Sequence, residues 1–221
     1  INNKKVRVII ISSEGPTFSA GHDLKELTSG RKNPDKGRAY FKEIMAKCSK
    51  LMKSIVNNPK PIIAEVSGTA TAAGCQLVAS CDLAYASKSA KFATPGVNIG
   101  LFCSTPMVAI SRNLSNKHSM EMLLSGELIS ADKAEQIGLI NKALEDTLLQ
   151  KHTLNIAVKI SKKSAITLKI GKEAFYKQID MTLSEAYDHA SNVMVENMLK
   201  LDAEEGISAF IEKRKPNWQD K

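Results

Sequence analysis

Two short glycine-bearing stretches constrain this chain more than anything else in it: Phe18-Ser19-Ala20-Gly21-His22-Asp23-Leu24 and Gly68-Thr69-Ala70-Thr71-Ala72-Ala73-Gly74-Cys75-Gln76. Each follows a β-branched apolar run, Val6 to Ile11 and Ile62 to Val66, and each leads into a segment of helical character. A strand that turns into a helix through glycine and other small residues leaves backbone N–H groups open to close approach. The helix N-terminus behind the turn favours negative charge at the same spot. Taken singly, such a corner is an ordinary strand-to-helix turn. Two of them meeting at one point would form a two-donor oxyanion hole for an enolate or a tetrahedral anion.

The pattern around the corners is α/β up to about Asn141 and helical afterwards. Strand-like runs fall at Val6–Ser12, Pro61–Val66, Asp82–Ala86, Phe92–Thr94 and Leu139–Lys142. Between the first two, Ile44, Cys48, Leu51, Met52 and Ile55 repeat at helical spacing, and that helix must stop before Pro59. Ser29 to Lys36 is rich in glycine, proline and charge, and it reads as a mobile loop. Apolar repeats at Leu154–Ile160, Ala165–Tyr176 and Ala186–Leu199 give the helical tail. We therefore expect a core over residues 1–142 and a helical region over 143–221. At 221 residues and 43% apolar the chain can bury a full core.

Composition narrows the class of function. No apolar run reaches the length of a membrane span, and nothing at Ile1 reads as a signal peptide. Cys48, Cys75, Cys81 and Cys103 lack zinc-ligand spacing and read as reduced thiols, Cys75 and Cys81 among apolar neighbours. His118, His152 and His189 show no ligand spacing either, so no metal site is expected. A net charge of +8 suits an anionic partner such as a phosphate-bearing cofactor or RNA, although a merely solvated surface needs neither. Lys36, Lys42, Lys47, Lys50 and Lys53 are spread as on a solvated face, which makes nucleic acid an unlikely partner.

Further stretches carry a resemblance. Lys60 to Gly68, Cys81-Asp82-Leu83-Ala84, Lys91-Phe92-Ala93-Thr94-Pro95, Met120 to Gly126, Ile129-Ser130-Ala131, Gly138 to Lys142 and Glu205 to Pro216 follow one another in a fixed order. With the two corners they resemble the crotonase (enoyl-CoA hydratase/isomerase) superfamily almost end to end. Gly21 to Leu27, Ala72 to Asp82 and Phe92 to Asn98 resemble one branch of it in particular. The resemblance implies an α/β fold with a spiral ββα core and a C-terminal helical region that builds homo-trimers or hexamers. It implies an acyl-CoA ligand, with the CoA thioester as substrate and no separate cofactor. It also implies a mitochondrial matrix location in a eukaryote or a cytoplasmic one in a bacterium. The family's first hairpin has no counterpart here, so residues before Ile1 are expected to be missing.

By the same resemblance, the oxyanion hole would be the backbone N–H groups of His22 and Ala73. Ala20, Asp23, Lys25, Gly74, Phe102, Cys103 and Lys213 would contact substrate or CoA. Asp23 and Glu26 also have the spacing of a helix cap. The family's two hydratase glutamates fall on Gln76 and Gly96, and Gly100 to Thr105, where family isomerases carry a carboxylate, contains none. Glutamine binds a water but cannot take its proton, so ordinary hydration is doubtful. Decarboxylation of a malonyl-type CoA needs only the hole and a late proton source, and a non-catalytic acyl-CoA-binding or assembly role needs less still.

Overall fold

The structure is a computed structural model and describes residues 3–221. It is a mixed α/β fold with eight strands and ten α-helices among those residues. Strands β1 (Ile9–Ser12), β3 (Ile62–Val66), β5 (Leu83–Ser87) and the shorter β8 (Lys142–Leu144) make one sheet in the order β1-β3-β5-β8. Short strands β2 (Thr17–Ser19), β4 (Thr69–Thr71), β6 (Lys91–Ala93) and β7 (Ile129–Ser130) make a second sheet in the order β2-β4-β6-β7. Three times the chain passes through one strand of each sheet (β1-β2, β3-β4 and β5-β6) and then into helix, which is the spiral ββα repeat, whereas a helix separates β7 from β8. Helices α1 (Leu24–Gly30) and α2 (Arg38–Val56) follow β2, and α3 (Ala73–Ser80) follows β4. Then come α4 (Ser104–Ile110), α5 (Asn116–Ser125) and α6 (Ala131–Gln136), with a 3₁₀ turn over Pro95–Ile99 before α4. The remaining helices are α7 (Leu149–Ser161), α8 (Ala165–Gln178), α9 (Leu183–Met198) and α10 (Leu201–Ile211).

Two compact units result. One comprises Ile10–Val56 and Ile62–Thr153 and holds both glycine corners. Its β3 reads Ile62-Ile63-Ala64-Glu65-Val66 and is buried at every position but Glu65, as expected of a parallel strand covered on two faces. Ile63, Val66, Val78, Phe92, Ile110 and Leu123 are the largest apolar side chains fully out of water there. The other unit comprises residues up to Ile9, Asn57–Pro61 and Leu154–Lys221. It is clasped through its last residues. The Asp202 carboxylate is buried and accepts from the backbone N–H groups of Gln219 (2.7 Å) and Asp220 (3.0 Å). Asp220 in turn accepts from Arg7 and from the Ala165 N–H. Trp218 donates to the Lys162 carbonyl at 2.8 Å and lies over Gly206.

Several expectations are corrected in detail. The Ser29–Lys36 segment is not all loop, because α1 continues through Gly30 and only the residues after it are turns. Gly30 is buried against the ring of Tyr40, which anchors that end of α1. The strand expected at Leu139–Lys142 begins only at Lys142. Leu139 and Ile140 come straight after Gly138 at φ 86°, and their N–H groups both go to the Ala134 carbonyl as the end of α6 unwinds. Short strands β2, β4 and β7 carry no alternation long enough to be read from sequence.

Candidate active site

The corners meet because the strands that feed them are neighbours. β2 and β4 pair in parallel, Thr17 with Thr69 and Ser19 with Ala70, so the chain leaves both strands at the same end of the sheet. Glycine is required there for closeness. A Cβ on Gly21 would stand 3.0 Å from the Ala73 nitrogen and 3.1 Å from the Ala72 Cβ, and Gly21 itself sits at φ 92°. A Cβ on Gly74 would stand 2.1 Å from the Ser19 carbonyl oxygen, so only glycine lets α3 begin against the backbone of β2. Ala20 and Thr71 tie the corners together through a hydrogen bond from the Thr71 hydroxyl to the Ala20 carbonyl (3.4 Å).

Two backbone donors are left over at this junction. The N–H groups of His22 and Ala73 donate no hydrogen bond among the described residues, while Gly21 donates to the Ser19 hydroxyl and Ala72 to the Ala93 carbonyl. Ala73 is the first residue of α3, where an unsatisfied N–H and the positive end of the helix coincide. Ahead of it, Ala72 is held at φ 50°, ψ −120°, a conformation that L-residues rarely adopt.

His22 and Ala73 open into one cavity of about 360 Å³. Ser19, Gly21 and Leu77 line it from the corner side, and Ile44, Lys47, Cys48, Leu51 and Met52 line it from α2. The apolar stripe of α2 was legible in the sequence, but nothing in its spacing said that it would wall a site. Among the lining residues the titratable side chains are His22, Lys47 and Cys48, and there is no carboxylate. Lys47 pairs with Glu43 one turn earlier at 2.5 Å, which raises the lysine pKa and lowers that of the glutamate.

The other predicted residues occupy distinct places. Asp23 caps α1, its carboxylate accepting from Lys25 N–H (2.7 Å) and Glu26 N–H (3.3 Å), and the Lys25 side chain is exposed on that first turn. Gln76 lies one turn beyond Ala73, only 4% exposed, and its Oε1 accepts the Cys48 thiol at 3.8 Å. Partial burial pushes the Cys48 thiol pKa above its ordinary 9.0. Gly96 is buried in the 3₁₀ turn, and its N–H donates to Cys103 Sγ at 3.3 Å. A Cβ at Gly96 would meet the Leu101 carbonyl at 2.7 Å and Cys103 Sγ at 2.9 Å, so the volume into which a side chain at that position would project is filled. Cys75 is wholly buried, and burial with Cys103 nearby pushes its thiol up to about 12, which makes it inert. Phe102 is exposed, and neither it nor Cys103 lines the cavity. Lys213 is exposed at φ 56° after α10, in the C-terminal unit. No group of three His, Cys, Asp or Glu among the described residues is arranged to hold a metal ion.

Residues 1–221 match the model of the family described as enoyl-CoA hydratase/isomerase. The chain belongs to that family. Among its relatives, enoyl-CoA hydratase domain-containing protein 3, mitochondrial, of Mus musculus is 53% identical over 216 residues, covering 98% of this chain and 70% of the relative. The Homo sapiens protein of the same name is 51% identical over 217 residues, with the same coverage. This is the branch that the corner sequences resemble. The crystal structure of the human domain-containing protein 3 superposes with a TM-score of 0.91 at 52% identity, covering 96% of this chain and 82% of that one. A Mycobacterium smegmatis enoyl-CoA hydratase structure gives a TM-score of 0.91 at 46% identity, over 96% and 81%.

Proposed function

We propose that this protein binds acyl-CoA thioesters, with the thioester carbonyl oxygen between the His22 and Ala73 N–H groups. The observation that carries the reading is the pair of unpartnered amides brought together where Gly21 abuts Ala73. Both donors are backbone, so they do not depend on which side chains the two positions carry. The apolar wall of Ile44, Leu51, Met52 and Leu77 suits an acyl chain beside them. Family kinship and the mitochondrial relatives support a role in acyl-CoA metabolism, in the mitochondrial matrix for a eukaryotic source. Lys25 and Lys213 are the candidate phosphate contacts. The exposed apolar faces of α9 and α10, with Leu183, Met194, Phe210 and Ile211, support assembly into trimers.

Hydration is not the chemistry we assign. It needs one carboxylate to deprotonate water and a second group to protonate the α-carbon. By the family resemblance Gln76 and Gly96 fall at the two glutamate positions, and no carboxylate lines the cavity. The second reading is decarboxylation of a malonyl-type thioester, favoured by that same lining. Loss of CO₂ leaves its electron pair on the thioester oxygen and needs no base. A crystal soaked with an unreactive acyl-CoA tests the first reading. Its carbonyl oxygen is expected within about 2.7–3.1 Å of both nitrogens. A carbonyl pointing elsewhere, or no binding at millimolar ligand, overturns it.

A further inference from the structure

We propose that Cys48, oriented by Gln76, is the proton donor of this site, delivering its thiol hydrogen to the α-carbon of an enolate held by His22 and Ala73. The inference rests on the acyl-thioester reading and adds the group that completes it. Three features of the structure carry it. Cys48 lines the same cavity as the two free amides, from the facing helix α2. Its thiol donates to Gln76 Oε1 at 3.8 Å, a contact that anchors the Cys48 side chain at the cavity wall and from which the S–H turns to reach a bound substrate. Gln76 is itself 4% exposed, so the acceptor that holds the Cys48 thiol is fixed by packing.

The alternatives within the cavity are weaker. The Lys47 ammonium is turned to Glu43 on the exposed side of α2. The hole uses His22 through its backbone. Partial burial keeps the Cys48 thiol protonated at neutral pH, which suits an acid and disqualifies a nucleophile. The step balances without a further reagent. The bond from the α-carbon to the carboxylate breaks, CO₂ leaves, and the electron pair moves onto the thioester oxygen. The enolate then collapses as the α-carbon takes the Cys48 proton, and the thiolate recovers a proton from water.

Protonation follows the C–C cleavage, so the most direct readout is the face to which hydrogen is delivered. The test is incubation of the full chain with racemic methylmalonyl-CoA in D₂O, with analysis of the deuterated propionyl-CoA by mass spectrometry and chiral NMR. Wild type is expected to give one dominant configuration at the α-carbon. Cys48→Ala should give an equal mixture, with kcat falling more than KM, because bulk water then reaches either face. Cys48→Ser should restore part of the bias, since a hydroxyl still donates. Calorimetry with unreactive butyryl-CoA, run in parallel, should still detect binding by all three proteins, so that the altered stereochemistry is not a loss of ligand. Unchanged stereochemistry in Cys48→Ala overturns the proton-donor role, and so does absence of decarboxylation by wild type. If wild type also fails to bind butyryl-CoA, the acyl-thioester reading falls with it; if it binds, only the proton-donor role is lost.

Discussion

Replacing Ala72 with glycine should stabilise the fold and weaken the site. Ala72 is held at φ 50°, ψ −120°, where its Cβ crowds its own backbone. Such a conformation costs on the order of 1–3 kcal/mol in a residue other than glycine. Against that relief stands the extra freedom of glycine in the unfolded chain, about 0.5–1 kcal/mol. A further few tenths of a kcal/mol are lost with a half-buried methyl that lies against Gly21. The balance is a stabilisation of about 1 kcal/mol, or roughly 2–4 °C in Tm for a chain of this size. Ala79→Gly, at a residue of ordinary helical conformation in the last turn of α3, is the control and should cost about 1 kcal/mol. Guanidinium denaturation at one fixed protein concentration separates the two signs. Butyryl-CoA binding supplies the second half of the test. Glycine leaves the Ala73 N–H free to turn away, so affinity should fall while stability rises. An Ala72→Gly protein destabilised as much as Ala79→Gly would refute the argument that the corner is strained.

Gly96→Glu, the substitution that nominally restores a hydratase glutamate, should lower stability by about 1–3 kcal/mol by thermal melt and leave crotonyl-CoA hydration no faster, alone or with Gln76→Glu, because its Cβ meets the Leu101 carbonyl and Cys103 Sγ. The single tryptophan, Trp218, should report acid opening of the C-terminal clasp. Arg214 and the Asn217 N–H lower the Glu205 pKa from 4.5 to about 2. The stability that this carboxylate contributes is complete above about pH 4.5 and lost as pH falls through about 2, so Trp218 fluorescence should change in that window, and Glu205→Gln should remove that part of the change. Light scattering at micromolar concentration should give a trimer or a multiple of it, and Phe210→Glu, at a side chain 85% exposed, should dissociate it; a wild-type monomer overturns the assembly reading.

What the sequence revealed follows the physics of each signal. Long buried strands and the amphipathic α2 are written in runs of five or more residues, and they were legible in kind if not to the residue. The three-residue strands β2 and β4 are not, since Thr17–Ser19 and Thr69–Thr71 are too short to show a period. Their pairing, which brings the corners together, is a long-range fact that no local pattern encodes. The junction of the two corners was signalled by glycine, because Gly21 and Gly74 stand where backbone approaches backbone too closely for a Cβ. Cys48 was not found as part of the site. It sits in an ordinary apolar stripe, and only the packing of α2 against α3 turns that stripe into a cavity wall.

That difference bears on how the site tolerates change. A hole built from backbone N–H groups depends on strand pairing and on two glycines, so side chains around it can be replaced while it stays intact. Acid and base groups depend on single side chains and vanish with one substitution. On the reading proposed here Gln76 and Gly96 stand where such groups would be, and Cys103 Sγ and the Leu101 carbonyl fill the space that a side chain at Gly96 would need. A site that keeps its hole without its carboxylates can still stabilise an enolate, but it can form one only from a substrate that carries its own leaving group. Substrates whose α-proton must be removed by the protein should therefore bind and stay unchanged, while a carboxylated thioester should react. Solvent-deuterium exchange into butyryl-CoA makes the contrast measurable. No incorporation is expected at neutral pH over hours, and exchange at a catalytic rate would mean that His22 or Cys48 acts as a base after all.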